Sequence, residues 1–296
     1  MSVRREMDLR PPQAVQRFDD KLVMRDDKKL YFGTDGDVSM EFDSANRVLK
    51  TSAPGAFIGQ GSQRLEFFEN FLKKPGINND LDTFTANVTA GEMVAAMVAN
   101  KDWEITGVNS TSALSTFDAD GGVVLTTAGA DGDEEFVGPH LATNQSQLGT
   151  TRFKPSAKPA FECYFKTGAS ITKAIIFAGL KLTVVEPTST DDDAVWFRFE
   201  DDVNSGKWQA LTSIATVDVA TDSGVTAVVS TKYHLAIYVD ADRIATMYIN
   251  GVLVYTSTAL TAAAAFKPCI GVAADGAAPG AKAITLYWIK ASKDAA

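Results

Sequence analysis

The 296-residue sequence carries a formal net charge of −9 and has a pI near 4.8. Nucleic acids and anionic membranes are bound through clustered lysine and arginine, so this charge argues against either as the main partner. No charge-free apolar run approaches the ~20 residues of a transmembrane helix, and the first residues, MSVRREMDLRPP, lack the apolar core of a secretory signal. With 45% hydrophobic residues, the chain can bury a sizeable core.

The first third of the chain has a mixed pattern. Residues 1–29 are polar and charged, which predicts an extended N-terminal arm that a partner would order. Residues 29–49 give three short strand signals separated by turns rich in glycine and aspartate. Residues 63–74 (QRLEFFENFLKK) have helical spacing before Pro75-Gly76, and a capping-box spacing predicts a second helix over 91–100. We therefore expect residues 30–102 to form a small β-meander plus helices that serve attachment and oligomerisation.

From Trp103 onward the composition shifts to Ala, Thr, Gly, Asp and Val, and helix signals nearly vanish. Evenly spaced strands without helices predict a β-sandwich over residues 103–296. The strand candidates are residues 122–127, 160–166, 174–185, 195–200, 208–214, 226–230, 269–273 and 284–290, together with a meander over 233–255.

The meander of residues 233–255 (YHLAIYVDADRIATMYINGVLVY) carries the most specific local signals. Two runs alternate with period two, Asp240-Ala241-Asp242 supplies a polar turn, and Asn250-Gly251 favours a type I′ hairpin. The closing strand, AITLYWIKAS, alternates Ile284, Leu286 and Trp288 against Thr285, Tyr287 and Ile289 and could pair with an early strand. We expect these strands to complete the sandwich.

Catalytic motifs are absent from the sequence. His140 and His234 are the only histidines, and with the separated Cys163 and Cys269 they offer no zinc spacing and no Ser-His-Asp set. We interpret both histidines as structural or surface residues, and both cysteines as buried free thiols, although the two could be sheet neighbours. Phosphate and acyl-transfer motifs are missing too. We assign no catalytic, cofactor-binding or metal-binding residue and expect no enzyme activity and no cofactor.

Two weaker possibilities concern ligands. Loop carboxylates at Asp191-Asp192-Asp193, Asp201-Asp202, and Asp240 with Asp242 could supply oxygen ligands to Ca²⁺, although solvated turns that protect sheet edges explain them better. Tyr238, Tyr255 or Trp208 could stack on a sugar ring, although aromatic residues on sandwich strands are more often core residues or cross-strand pairs.

Several ordered segments resemble concanavalin A-like jelly-roll domains, as found in virion structural proteins of tailed bacteriophages. They are VWFRFEDD (195–202), GKWQA (206–210), the meander, PCIGV (268–272) and AITLYWIKAS (283–292). The resemblance covers about two thirds of the chain. Residues 30–50, LYFGTDGDVSMEFDSANRVLK, resemble a short β module common in phage head and tail proteins. The jelly-roll glucanases of the same fold carry Glu-x-Asp-x-x-Glu on one strand, whereas here Glu200-Asp201-Asp202 is contiguous, which disfavours glycoside hydrolysis.

The resemblance implies a virion structural protein, most like a capsid decoration (cement) protein. Its partners would be the major capsid protein and two further copies in a homotrimer, at the capsid surface after synthesis in the host cytoplasm. The alternative is a tail or head-fibre adhesin that holds host glycan in the sandwich loops. Fold alone does not decide between these functions.

Overall fold

The computed structural model describes residues 29–32, 38–43, 48–52, 64–71, 76–77, 102–110, 115–139, 147–182 and 191–295. Residues 1–28 of the predicted N-terminal arm, the second predicted helix, at residues 91–100, and His140 lie outside these ranges, whereas Lys29 begins the first strand. No helix of the described part is long and apolar enough to cross a membrane.

Three antiparallel strands form the N-terminal meander: β1 (Lys29–Phe32), β2 (Val38–Asp43) and β3 (Val48–Ser52). The prediction for this segment is confirmed. A second compact unit, Arg64–Ala296, holds the other strands of the described residues. The sandwich unit therefore begins well before the boundary expected at Trp103.

The larger unit is a sandwich of two eight-stranded sheets, which confirms the predicted mainly β fold class and is consistent with a jelly roll. Sheet I has the order β17-β16-β15-β10-β19-β8-β7, with β4 also pairing with β19. Its strands are β4 (Arg64–Glu69), β7 (Thr116–Phe117), β8 (Val123–Thr126), β10 (Ala160–Thr167), β15 (Lys232–Val239), β16 (Ile244–Ile249), β17 (Val252–Ala259) and β19 (Ala283–Asp294).

Sheet II has the order β14-β13-β12-β11-β18-β9-β6-β5 and is antiparallel except for the β5–β6 pair. Its strands are β5 (Gly76–Ile77), β6 (Trp103–Thr106), β9 (Glu134–Pro139), β11 (Ala174–Lys181), β12 (Ala194–Glu200), β13 (Lys207–Ile214), β14 (Val217–Thr226) and β18 (Lys267–Ala274). A four-residue helix, α1 (Gln147–Thr150), and two short 3-10 turns, Pro155–Ala157 and Asn204–Gly206, complete the described unit.

The core lies between the inner faces of the sheets. Trp208 of β13 is fully buried there, and its ring lies 5.9 Å from Phe165 of β10, 5.8 Å from Phe199 and 5.4 Å from Tyr233. These contacts join the two sheets, because Phe165 and Tyr233 come from sheet I while Phe199 and Trp208 come from sheet II.

The predicted turns of the meander are confirmed. Asp240 accepts hydrogen bonds at Oδ1 from the backbone N–H groups of Asp242 and Ile244, both at 2.9 Å. Asn250 and Gly251 have φ values of 51° and 79°, the left-handed pair that a type I′ turn requires. These short-range signals succeed because they act within a few residues.

Two predicted elements are wrong. Residues 64–69, expected to be helical, form β4, which pairs with the second half of β19. The apolar residues of this segment fit the period of a helix and that of a strand, and pairing with β19 selects the strand. In this conformation Phe67 is buried against Phe153, with 6.3 Å between the ring centroids. The strand expected at 226–230 lies earlier in the chain, at β14. β14 is an exposed edge strand, so its sequence lacks the alternation of apolar residues that would have marked it.

Candidate ligand-binding site

The apolar centre of the outer face of sheet II is closed. Phe136, Phe177, Trp196, Leu211 and Cys269 form a second apolar cluster there, and each is at most 4% exposed. Lys181, only 1% exposed, also lies on this face, with Nζ 4.4 Å from the centroid of the Trp196 ring. A ligand of any size has no access to these side chains, so this face is not the candidate site.

The outer face of sheet I carries a group of partly or largely exposed rings, which we call the aromatic platform: Phe68, Tyr164, His234, Tyr287 and Trp288. Tyr164 of β10 lies opposite His234 of β15 on one side and Trp288 of β19 on the other. Three neighbouring strands therefore contribute one continuous row of rings.

The rings of the platform touch. Tyr164 and Trp288 are stacked, with planes 26° apart and centroids 6.2 Å apart, and Tyr164 lies 5.5 Å from Tyr287. Trp288 also lies 5.4 Å from His234 and 6.2 Å from Phe68. Trp288 is thus the central ring, in contact with three others of the platform.

An irregularity in β19 builds this arrangement. Tyr164 pairs with Trp288 but the next residue, Phe165, pairs with Leu286, so Tyr287 is the extra residue of a β-bulge. Leu286 and Ile289 both lie in the core, and the two aromatic residues between them share the outer face. The predicted strict alternation, with Trp288 on the same side as Leu286, is wrong for this reason.

Charged and polar groups surround the platform, and Lys232 Nζ lies 4.9 Å from the centroid of the Tyr287 ring. His234 Nε2 lies 3.3 Å from Glu162 Oε2, and Lys290 Nζ lies 3.1 Å from Glu66 Oε2. At the other end, Lys166 Nζ lies 3.0 Å from Asp118 Oδ2. The rim therefore offers hydrogen-bond donors and acceptors without a large excess of either charge.

Two pKa values at the rim reflect these contacts. The hydrogen bond from His234 lowers the pKa of Glu162, while burial acts in the opposite direction. Burial raises the pKa of the nearby Tyr238 hydroxyl, and the charge and hydrogen bond of Glu162 raise it further. Glu162 is thus ionised and Tyr238 is a neutral donor over the physiological range.

The aromatic residues that the sequence suggested as sugar-stacking residues lie in different environments. Tyr238 lies on the outer face, 5.8 Å from Tyr248, beside the platform. Tyr255 is partly buried, with its hydroxyl 3.3 Å from Thr212 Oγ1. Trp208 is in the core and cannot stack on a ligand, so that suggestion is wrong. The bulge that defines the platform leaves no mark in the sequence other than the adjacent Tyr287 and Trp288.

The loop carboxylates considered as an alternative calcium site are not brought together as grouped in the sequence. Asp240 caps its own turn, and Asp193 Oδ1 accepts from Ala215 N and Thr261 Oγ1. Among the described residues, the one group with metal-like spacing is Glu200, Asp202 and Asp275, whose ligand atoms lie within 4.8 Å of one another. Burial raises the pKa of Glu200, and no further feature of this cluster points to an ion.

The thiols agree with the prediction: Cys163 and Cys269 are both free and buried. Burial raises the pKa of each, to about 12 for Cys269, so neither is a reactive thiolate at neutral pH.

Comparisons with known proteins give two kinds of similarity. Residues 141–276 match the family described as SO2946-like, C-terminal domain, whereas no curated protein matches the sequence. Among solved structures, the protein of unknown function SO2946 from Shewanella oneidensis MR-1 is 13% identical, with 78% of this chain and 87% of that chain covered and a TM-score of 0.47.

Two further structures have related shapes. A Bacillus licheniformis β-glucanase is 11% identical, with 76% of this chain and 97% of that chain covered and a TM-score of 0.48. The carbohydrate-binding module CBM66 from Bacillus subtilis is also 11% identical, with 63% and 94% covered and a TM-score of 0.40. At this level of similarity we infer no activity from these proteins.

Proposed function

We propose that this protein is a non-catalytic carbohydrate-binding protein whose site is the aromatic platform of sheet I. The observation that carries the proposal is the bulge in β19, which places Tyr287 and Trp288 side by side on the outer face against Tyr164. A regular strand would bury one of the two. The fold instead presents a row of rings where a flat ligand can lie.

The chemistry of the platform suits a sugar better than other ligands. Aromatic side chains combine a large apolar surface with a rigid geometry, and they fit the C–H faces of pyranose rings. The surrounding charges are of both signs, so they can hydrogen-bond hydroxyl groups without selecting a strongly charged ligand. A nucleic acid would meet a chain with net charge −9.

Intrinsic fluorescence gives a direct test. The chain has four tryptophans. Trp103 and Trp196 are 1% exposed and Trp208 is 0% exposed, whereas Trp288 is partly exposed. Acrylamide quenching therefore reports on Trp288 alone. We expect a polysaccharide panel to contain a member that shifts the emission and protects Trp288 from quenching in a saturable manner.

Matched variants locate the site. Trp288→Ala and Phe68→Ala should each weaken polysaccharide binding roughly tenfold, because an aromatic pair contributes about 0.5–1.5 kcal/mol beyond its buried area. Phe117→Ala is the control, since Phe117 and Phe68 are both 53% exposed and Phe117 is outside the platform. Unchanged affinity in Trp288→Ala, or an equal loss in Phe117→Ala, would contradict the proposal.

Binding without turnover remains part of the proposal. Of the platform carboxylates, Glu66 is paired with Lys290, and the hydrogen bond with His234 lowers the pKa of Glu162, whereas glycoside hydrolysis needs one acid with a raised pKa facing an ionised partner. Any polysaccharide that binds should release neither reducing ends nor unsaturated sugars on long incubation. Release that disappears in Glu162→Gln would overturn this part.

Glycan binding was the second expectation from the sequence. The first, capsid decoration through the N-terminal region with a major capsid protein as partner, stays a prediction. Deleting residues 1–29 should leave a folded sandwich that no longer binds particles. Particle binding that survives this deletion would refute the role of the arm.

A further inference from the structure

In the part of the chain that the structure describes, both sheets end on the same side of the sandwich with long edge strands. In sheet I the last strand is β17, with eight residues, and in sheet II it is β14, with ten. Tyr255 of β17 and Thr212 of β13, the strand next to β14, are joined by a hydroxyl–hydroxyl hydrogen bond of 3.3 Å. The two open edges therefore lie one above the other, and we call this side the lateral edge.

The lateral edge is apolar and exposed. Val252 and Leu253 of β17 are 63% and 51% exposed, and Val217 and Val219 of β14 are 65% and 45% exposed. The sequence of β17, VLVYTSTA, contains no charged residue and no proline. Natural edge strands are usually protected by lysine, proline or short length, because their free N–H and C=O groups pair readily with another strand.

The opposite side of the sandwich shows that protection. There, among the described residues, sheet I ends in β7 and in β4, which pairs with the second half of β19, and sheet II ends in β5. β7 and β5 have only two residues each, whereas β4 has six. The two short strands offer few groups to a further strand. The longer β4, RLEFFE, carries three charged residues, which protect a natural edge strand, whereas β17 carries none. The uncharged pairing capacity of the described strands is thus concentrated on the lateral edge.

We propose that the lateral edge is an interface with a second copy of this chain. A two-fold axis normal to both sheets would pair β17 antiparallel with its copy and β14 antiparallel with its copy in one association. Both sheets would continue across the interface. A single extended peptide could satisfy only one edge and would leave the valines of the other exposed.

Charge also favours a second copy at this place. Two molecules of net charge −9 repel each other over most of their surfaces. The uncharged β17 is a surface where they can approach without like charges meeting, and in β14 the only charged residues are Asp218 and Asp222. Asp222 is already paired with Lys207, at 2.8 Å.

Light scattering coupled to gel filtration tests this interface with the full chain. The wild type should elute with twice the mass of the chain at micromolar concentration. Leu253→Lys on β17 and Val217→Lys on β14 should each yield the monomer, because each places in the apolar edge a charge that the second copy would bury without an opposite partner. Phe117→Lys should remain dimeric, since Phe117 on the opposite edge is as exposed as Leu253, at 53% against 51%.

Circular dichroism must show that the variants are folded, and hydrogen exchange gives a second readout. Amides of β17 that point outward should exchange slowly in the dimer and faster in Leu253→Lys, while those of β10 stay protected. A wild-type monomer at high concentration, a trimer, or a dimer that both lysine variants leave intact would each overturn the proposal. None of these results depends on sugar binding.

Discussion

Replacing Gly271 by alanine should destabilise the sandwich strongly, because no space exists for a methyl group there. Gly271 lies on the closed face of sheet II between Phe177 of β11 and Phe136 of β9. A Cβ at this position would lie 2.3 Å from Phe136 Cβ, 2.6 Å from Phe177 Cζ and 2.7 Å from the carbonyl oxygen of Glu135. Two of these atoms belong to parts of the chain that cannot rotate away.

The expected loss is about 3 kcal/mol, at the upper end for overpacking of a filled site. For a unit of this size the melting temperature should fall by roughly 6–12 °C. Gly138→Ala on β9 is the matched control, since its Cβ would meet nothing closer than 3.6 Å and neither glycine has positive φ. The control should lie within about 1 kcal/mol of wild type and could gain from the lower chain entropy of alanine.

Thermal melting followed by circular dichroism measures both variants. If Gly271→Ala has the same melting temperature as the wild type, the rings of Phe136 and Phe177 do not lie over Gly271. The outer face of sheet II would then be open, and the reason for placing the ligand on sheet I would be lost.

Two other groups give separate tests. Glu135 is fully buried and accepts hydrogen bonds from Ser115 Oγ and Thr126 N. Glu135→Gln, whose amide nitrogen cannot accept a hydrogen bond, should lower the free energy of unfolding by about 1–3 kcal/mol in chemical denaturation. Ser115→Ala should cost less in the Glu135→Gln background than in wild type, and additive losses would refute the network. Burial raises the pKa of Glu200, so the folded state holds the proton more tightly than the unfolded state and the ionised group lowers stability at neutral pH. Glu200→Gln should therefore melt above wild type at neutral pH, with the difference vanishing toward about pH 4; a lower melting temperature at neutral pH would contradict this.

The parts of the fold that the sequence predicts are those with short-range causes. The Asn250-Gly251 hairpin and the Asp240 turn follow from local backbone preferences, and the strands beside them follow from period-two alternation. β4 could not be predicted in this way, because Leu65, Phe67 and Phe68 fit a helix and a strand equally well. Its state depends on β19, which is more than two hundred residues away along the chain.

The platform escapes prediction for a related reason. Alternation assigns Tyr287 and Trp288 to opposite faces, and only the register between β10 and β19 shows that both face outward. Functional sites are places where local rules fail. In this chain the regular alternation is broken by one extra residue in β19, Tyr287, which adds a second aromatic ring to the outer face of sheet I.

The proposed interface and the proposed site combine into one further expectation. A two-fold axis normal to the sheets leaves both platforms on the same side of the dimer, so two sites could engage one polysaccharide chain or one glycan-coated surface. Linked sites gain apparent affinity by roughly 10²–10⁴ without a new contact. Leu253→Lys should therefore lose most of its retention on an immobilised polysaccharide, yet bind a short oligosaccharide of the same sugar as tightly as wild type. Equal losses for polymer and oligosaccharide would place Leu253 in the sugar site itself, and equal retention of both proteins on the polymer would show that the two sites act independently.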